Sequence, residues 1–157
     1  MAKNKLGFEG KLYYDVNGPL TLSAHAWSDA SWTEITAARD VTLDGDADEA
    51  DVTSRGSGGH KQTRAALRDS PATFDVVWDG DPSVEPGKAI HALRAAWWAG
   101  TEVALAIMDA GAAVSGAQGV FGNFSVLNCS RAEPLGDAMI ISVTVKPSEF
   151  TDWKVVP

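Results

Sequence analysis

Cysteine is nearly absent from this chain, which has Cys129 alone among 157 residues. A disulfide within the chain is therefore impossible, and a reducing compartment is the default expectation. No apolar run reaches the roughly 18 residues that a membrane span needs, so no membrane anchor is predicted. Residues 1–10 hold no apolar segment of the kind that a secretory signal requires. These absences predict a protein made in a cytoplasm.

Positive charge is also scarce. The chain has 13 Lys and Arg against 21 Asp and Glu, a formal net charge of -8. Tight binding to nucleic acid rests largely on Lys and Arg that neutralise phosphates, so this balance argues against it. It remains compatible with a surface that nucleic acid passes without sticking. The length and the 45% apolar content predict a single domain, residues 1–157, with a real core.

Catalytic motifs are the third absence. The three histidines, His25, His60 and His91, include no pair at the i, i+4 spacing of a zinc helix. Cys129 follows a predicted strand and has no nucleophile signature, so we predict a buried structural thiol. His91 is expected to be partly buried with its polar atoms satisfied. We therefore predict no catalytic residue, no metal and no cofactor, and a protein that is not an enzyme.

A long charged stretch stands out in what the chain does contain. Its first half is acidic and carries Asp44, Asp46, Asp48, Glu49 and Asp51. Its second half is basic and carries Arg55, Lys61, Arg64 and Arg68. Between the halves lie Gly56, Ser57, Gly58 and Gly59. Long polar segments in compact domains are usually functional or disordered. We predict a polar loop over residues 44–70 that meets a copy of the chain or a neighbour.

Two ligand motifs resemble parts of this stretch, and each fails at a necessary position. Asp44, Asp46 and Asp48 imitate the start of a calcium loop, but Glu49 replaces the turn glycine and Arg55 replaces the bidentate glutamate. Residues 55–61 imitate a phosphate-binding loop, but no glycine precedes the lysine and no Ser or Thr follows it. A metal-dependent enzyme built on the aspartates therefore remains only an alternative hypothesis.

Alternation of apolar and polar residues predicts six to eight strands. The clearest cover residues 11–15, 33–36, 39–43, 73–79, 102–109, 120–128 and 138–146. In the third, Val41 and Leu43 are expected to face the core together. Pro147 is expected to end the strand over 138–146, with a short last strand over 153–156. The strand over 120–128 is apolar on both faces, which predicts a central strand that pairs as a hairpin with 138–146.

One amphipathic helix is predicted over residues 84–99, where Ile90, Leu93 and Trp97 share a face and Gly100 is the stop signal. Trp97 is expected in the core and Trp98 at an edge or an interface. Strands dominate, so the predicted fold is mainly β. We expect an antiparallel β-sandwich or barrel with one packed α-helix and the long polar loop.

The order of several segments resembles the major tail protein, or tail tube protein, of long-tailed bacteriophages and prophages. The segments are RDVTL at 39–43, ADEADVT at 47–53, RGSGG at 55–59, TFDVVWD at 73–79, the helix over 89–98, the strand over 103–109, GVFGNF at 119–124 and NCSRAEPL at 128–135. The resemblance covers residues 32–147. It implies the tail-tube fold and six-fold rings of subunits that stack into a hollow tube through which DNA is ejected.

The resemblance also gives roles to particular residues. The stacking contact is expected in the acidic and basic halves, at Asp44, Asp46, Asp48, Glu49, Asp51, Arg55, Gly56, Gly58, Gly59, Lys61 and Arg64. An acidic lumen would let DNA slide, and its expected residues are Asp75, Asp79 and Glu102. Residues 1–30 are expected to form an N-terminal arm, and 44–70 a loop that orders on stacking.

The implied partners are further copies of the chain and the tape-measure, tail-terminator and distal tail proteins. The implied location is the tail of a virion, after synthesis in the bacterial host cytoplasm. An alternative is another structural part on the same fold, such as a tail-completion or baseplate-hub subunit.

Overall fold

A computed structural model describes residues 4–21 and 27–157 of the chain. Within these residues the protein forms nine strands and one α-helix. The strands are β1 Lys11–Asp15, β2 Trp32–Glu34, β3 Ala38–Leu43, β4 Asp46–Asp51, β5 Thr63–Asp69, β6 Ala72–Val77, β7 Glu102–Met108, β8 Gln118–Ala132 and β9 Ile140–Val155. The helix, α1, is Gly87–Ala99. The mainly β, antiparallel fold with one packed helix is confirmed, with one strand more than the predicted range.

Seven strands form a single antiparallel sheet in the order β2-β1-β7-β8-β9-β6-β3. The edge strands β2 and β3 are consecutive in the chain and only residues 35–37 separate them. A flat sheet of this size would hold its edges about 29 Å apart. Four Cα steps reach at most about 15 Å, so the sheet must curl. The connection bonds to both sides of the seam, from Ile35 N–H to the Leu12 carbonyl and from Val77 N–H to the Ala37 carbonyl.

The inner face of the curled sheet holds the main core. Side chains from both ends of the sheet and from α1 meet there in one buried cluster. Its largest members, all under 2% exposed or at 2%, are Leu12, Tyr14, Ile35, Phe74, Ile90, Leu93, Leu105, Phe124 and Ile141. Because residues two apart on a strand share a face, the alternation predicted for β6, β7 and β9 places these side chains inward.

The outer face of the sheet is divided in two. Over β1, β7 and the first half of β8 it is apolar, and a second cluster covers it. This cluster contains Tyr13, Leu20, Ala104, Ala106, Met108, Ala117 and Phe121, with Trp27 and Trp32 packed against it. Over β6, β9 and the second half of β8 the outer face is polar and carries Thr73, Asp75, Asn128, Ser130, Ser142, Thr144 and Lys146.

The predicted hairpin of the last two long strands is confirmed, and β8 is the central strand of the sheet. The prediction that Pro147 ends β9 is wrong, because the strand continues to Val155 and absorbs the predicted last strand. Pairing with β6 ends at Val145, so the missing N–H of Pro147 costs no ladder bond there. A register shift between Gly122 and Phe124 on the β8 side also lies opposite this point.

Helix α1 begins at Gly87, three residues after the predicted start, and ends at Gly100 in the left-handed conformation, as predicted. Ile90 and Leu93 are fully buried. The prediction of a core position for Trp97 is wrong, because this side chain is 42% exposed. Its helical angle matches that of Ile90 and Leu93, but it belongs to the last turn, where only Ala96 is buried. The predicted helical period is therefore correct. The last turn of the helix is exposed because no described residue packs over Trp97.

Strand β3 departs from simple alternation. Asp40 has a positive φ of 48°, and the register with β6 shifts between Arg39 and Thr42. This bulge breaks the period of two, so Val41 is 39% exposed while Leu43 packs against the core. The predicted common face for Val41 and Leu43 is therefore wrong.

Part of the predicted N-terminal arm is a strand of the sheet. β1 pairs with β2 on one side and with β7 on the other. Leu20, further along, is buried, and its backbone N–H and carbonyl both bond to the side chain of Asn123. Residues 1–3 and 22–26, which include His25, lie outside the described residues. Within residues 1–30, those from Lys11 to Asp15 thus belong to the body of the fold.

Candidate assembly surface

The charged stretch that sequence analysis singled out is a β-hairpin and not an open loop. β4 and β5 pair with each other in a separate two-stranded sheet. They follow β3, an edge strand, and precede its neighbour β6, so the hairpin runs past the main sheet as a ribbon. At the join, Asp44 N–H donates to the Pro71 carbonyl at 2.9 Å. Lys146 Nζ lies 2.8 Å from Asp69 Oδ2, and this ion pair links β5 to β9. The hairpin therefore extends the body at one edge.

The Asp69 carboxylate, by its hydrogen bond and its charge, raises the pKa of Lys146 above its ordinary value. Both side chains are nearly half exposed, so solvent screens the pair. Lys146 was missed by the sequence reasoning. The sequence feature that could have identified it is a single basic residue at an outward position near the end of the predicted strand, where the other outward residues are uncharged.

The tip of the hairpin, residues 52–62, is ordered by local hydrogen bonds. Val52 N–H donates to the Gln62 carbonyl and Gln62 N–H donates to Thr53 Oγ1, each at 2.9 Å. Thr53, through its side chain and its backbone N–H, holds the pKa of Asp51 below its usual range. Gly58 and Gly59 have φ of 64° and 83°, a conformation that favours glycine. The predicted bend between the two halves is therefore a turn with its own hydrogen bonds, and its ordering on stacking stays a prediction.

Pairing places the acidic and basic halves side by side. Ala47 lies opposite Arg68 and Ala50 opposite Arg64. Glu49 forms the hairpin's internal ion pair with Lys61, at 3.7 Å and two-thirds exposed on both sides. All eleven residues predicted for stacking are exposed: Asp44, Asp46, Asp48, Glu49, Asp51, Arg55, Gly56, Gly58, Gly59, Lys61 and Arg64. The structure thus presents them to solvent as one protruding surface.

Metal binding by the aspartates has no geometric support. Asp46 and Asp48 share one face of β4, while Glu49 and Asp51 lie on the other. Among residues 4–21 and 27–157, no group of three or more His, Cys, Asp or Glu side chains is placed to hold a metal ion.

His60 is exposed in the hairpin tip. His91 is half-buried, with Nε2 at 3.3 Å from the Gly80 carbonyl oxygen. Partial burial raises the pKa of the Cys129 thiol.

The three residues predicted for the lumen do not form one group. Asp75 lies on the polar outer face of the sheet, where Ser142 Oγ donates to its Oδ1 at 2.6 Å. Glu102 lies opposite Ser125 and shares this outer face by register. Asp79 lies beyond the end of β6, where its Oδ1 accepts from Asp81 N–H at 2.9 Å. The register therefore brings two of the three carboxylates to one face.

The polar outer face carries both signs of charge. Arg39 lies opposite Asp75 on the neighbouring strand, and Lys146 lies opposite Ser125, in the same row as Glu102. The face is therefore polar throughout, with acids and bases interspersed.

No helix among the described residues is long and apolar enough to cross a membrane.

A groove of about 570 Å³ follows the seam where the two edges of the curled sheet approach. Phe8, Ile35 and Val41 contribute its apolar lining, and Lys11, Glu34 and Arg39 its charges. Lys11 and Glu34 pair with each other at 2.9 Å, and this raises the pKa of Lys11. The groove does not adjoin the hairpin tip and presents no catalytic arrangement among the described residues.

The curled antiparallel sheet with one packed helix is the fold of tail tube subunits. The chain is similar to a chain from the tail of an empty gene transfer agent particle with C6 symmetry. The match covers 98% of this chain and 100% of that one, with a TM-score of 0.67 and 15% identity. It also matches the SPP1 tail tube over 97% of its own length and 81% of that chain, with a TM-score of 0.65 and 9% identity.

The same fold occurs in a chain from the baseplate of the anti-feeding prophage, at a TM-score of 0.62, 8% identity and 99% coverage of both chains. No protein-family model matches the sequence, and no curated protein matches it. At these identities the similarity lies in the fold, which confirms the fold that the sequence resemblance implied.

Proposed function

We propose that this protein is a structural subunit of a phage-type tail tube, in which six-fold rings stack into a hollow tube that conducts DNA. The observation that carries the proposal is the match to a chain of a C6-symmetric tail over the full length of that chain. The protein would act by self-assembly and not as an enzyme. Its partners would be further copies, with tape-measure, tail-terminator and distal tail proteins at the tube's centre and ends, in a virion assembled in a bacterial host.

The exposed hairpin is the proposed stacking element. A head-to-tail contact between two different patches builds an open filament. The hairpin projects from one edge of the body and exposes charged side chains on both faces, so it suits contact with another copy more than burial in its own chain. Its ordered tip would reduce the entropy lost when it docks.

The test replaces residues 45–70 by Asn-Gly, so that Asp44 and Pro71 flank a two-residue turn between β3 and β6. We expect a folded protein that no longer forms tubes in electron micrographs, while the unaltered protein does. Circular dichroism and size-exclusion chromatography check the fold of the variant. Tubes of normal length from the shortened protein would contradict the stacking role of the hairpin.

A baseplate or tail-completion subunit is the second candidate, favoured by the match to the anti-feeding prophage baseplate chain. Such a subunit would form closed rings that do not elongate. Electron microscopy at increasing protein concentration separates the two, because a tube subunit yields particles whose length grows and a ring subunit yields particles of constant height.

We also propose that the polar outer face, with Asp75 and Glu102, lines the lumen. Asp75 and Glu102 balance Arg39 and Lys146 in number, and Asp69 pairs with Lys146, so phosphates would meet a face without excess positive charge that holds them weakly. Asp79 lies in the turn after β6, outside this face, and its lumen role stays a prediction. We expect Asp75→Lys with Glu102→Lys to make assembled tubes retain DNA at low salt. Asp137→Lys, in the exposed turn between β8 and β9, is the control. Equal retention by the control would contradict the assignment.

A further inference from the structure

The solvent-facing side of α1 is basic and aromatic. The helix contains Lys88 and Arg94 and no acidic residue, in a chain of net charge -8. Both side chains are exposed, and neither makes an ion pair with any described residue. Trp98 is 83% exposed and its ring lies 6.0 Å from that of Trp97, which is 42% exposed. Two adjacent exposed tryptophans are unusual on a solvated helix and typical of contact surfaces.

Two of the residues on this side are neighbours. Arg94 and Trp98 are four residues apart and therefore adjacent on the helix surface. Lys88 is also exposed, but it lies about 120° around the helix from Arg94, at the other border of the solvent-facing side. We call Arg94 and Trp98 the helix stripe.

β4 provides a complementary surface on the face that carries Asp46 and Asp48. Glu49 and Asp51 lie on its other face, where Glu49 is paired with Lys61. Beside it lie two exposed apolar side chains, Val52 at 42% and Leu67 at 78%. Asp48 has no ion pair or hydrogen bond from its side chain among the described residues, so its charge is available to a partner.

Within one chain the two surfaces belong to different parts of the fold. α1 packs on β7 and β8. The hairpin continues β3 and β6 and is tied at its base to Pro71 and Lys146. Contact between the helix stripe and β4 therefore fits two copies of the chain.

We propose that the β4–β5 hairpin of one copy docks on the helix stripe of a neighbouring copy, with the carboxylates of Asp46 and Asp48 facing Arg94 and the apolar hairpin side chains Val52 and Leu67 covering Trp98. This rests on the proposed function and names the receptor of the stacking element. Opposite charges set the register and speed encounter, and burial of the tryptophan supplies the apolar contact. Because hairpin and stripe are different patches of one chain, each added copy leaves one of each free for the next.

The first experiment reverses charges. Arg94→Glu and Asp48→Arg should each raise the critical concentration for tube formation by about tenfold or more, the factor expected from losing a close interfacial charge pair. The double variant should recover most of that loss. Lys88→Glu, which reverses an exposed base of α1 about 120° around the helix from Arg94, is the matched control and should assemble normally. Normal assembly by both single variants would overturn the proposal, and so would a double variant no better than the singles.

The second experiment detects the contact directly. One protein carries Asp48→Cys and the other Arg94→Cys, both with Cys129→Ala. Mixed and mildly oxidised, they should form a disulfide-linked heterodimer that neither protein forms alone. Glu149→Cys, exposed on β9, replaces Asp48→Cys in the control mixture and should give far less product.

The two proposals fail in different ways. Tubes that assemble with no heterodimer above the control would overturn the hairpin-to-helix contact and leave the tail-tube function intact. If the unaltered protein forms neither rings nor tubes alone or in an assembled particle, the proposed function fails and the contact fails with it.

Discussion

At the scale of single residues, several positions are decided by close backbone approach. A Cβ built on Gly119 would lie 1.8 Å from the Ile107 carbonyl oxygen, within the pairing of β7 and β8. A Cβ built on Gly87, at the start of α1, would lie at the same distance from the Asp81 carbonyl oxygen. By contrast, Gly45 meets no atom within 4 Å. The sequence alone marks all three as glycines and does not separate them.

We expect Gly119→Ala to destabilise the protein by about 2 kcal/mol or more, because β7 and β8 must separate to admit the methyl group. Gly45→Ala, in the open join between β3 and β4, is the matched control and should change the free energy of unfolding by less than about 1 kcal/mol. Urea unfolding of both variants measures the difference. Equal effects would show that the close approach at Gly119 relaxes without cost.

Asp109 is held by two partners. Lys5 Nζ lies 2.7 Å from its Oδ2, and Gln118 N–H donates to its Oδ1 at 2.8 Å. Burial raises the pKa of Asp109, but these two bonds lower it more, so its pKa in the folded protein lies below the usual value. Its contribution to stability is therefore present above the unfolded pKa, about 4, and is lost as the pH falls through the lower folded pKa.

Removal of this carboxylate should have a pH-dependent effect. The difference in unfolding free energy between the unaltered protein and Asp109→Asn should be constant above about pH 5 and shrink below about pH 4. Urea unfolding between pH 2 and pH 7 measures it. Glu149→Gln, an exposed residue without a bonded partner among the described residues, is the control. A difference that grows as the pH falls would contradict the assigned direction.

At the scale of elements, strand patterning succeeded where a strand has one buried face. β6, β7 and β9 follow the predicted alternation because their inward side chains fill the core. Prediction failed where no face is buried. β4 and β5 are exposed at nearly every residue, so no apolar period marks them, and only their pairing reveals strands.

The hairpin should be the least protected paired element of the isolated subunit. A two-stranded ribbon without a buried face is marginal by itself. We expect backbone amides of β4 and β5 to exchange hydrogen much faster than those of β7 and β8, whose interior residues are buried on both faces. Hydrogen exchange with mass spectrometry on the free protein and on assembled tubes measures this. Assembly should slow exchange in the hairpin, and unchanged exchange there would contradict its proposed contact.

At the scale of the whole molecule, the buried core and the proposed stacking hairpin are different parts. The inner core joins both ends of the curled sheet to α1. The hairpin contributes no residue to either buried cluster. Loss of the hairpin should therefore leave the cooperative unit intact.

The variant with Asn-Gly in place of residues 45–70 should melt in one transition, within about 4 °C of the full-length protein, since a change of ~1 kcal/mol shifts Tm by about that much at this size. Calorimetry of both proteins as non-assembled species tests this. A fall in Tm far beyond that value would show that the hairpin supports the core and would remove it as a separable stacking element.

The sequence by itself determined the strand-rich class, the inward sides of β6, β7 and β9, the position of the helix and the charged stretch. Each is a local property, since alternation, helical period and turn residues act over a few positions. Tertiary structure decided that this stretch is a hairpin, that Val41 and Trp97 are exposed, and that β9 continues through Pro147. These depend on which strands pair and where each element loses its neighbour, and non-local pairing has no signature within one segment.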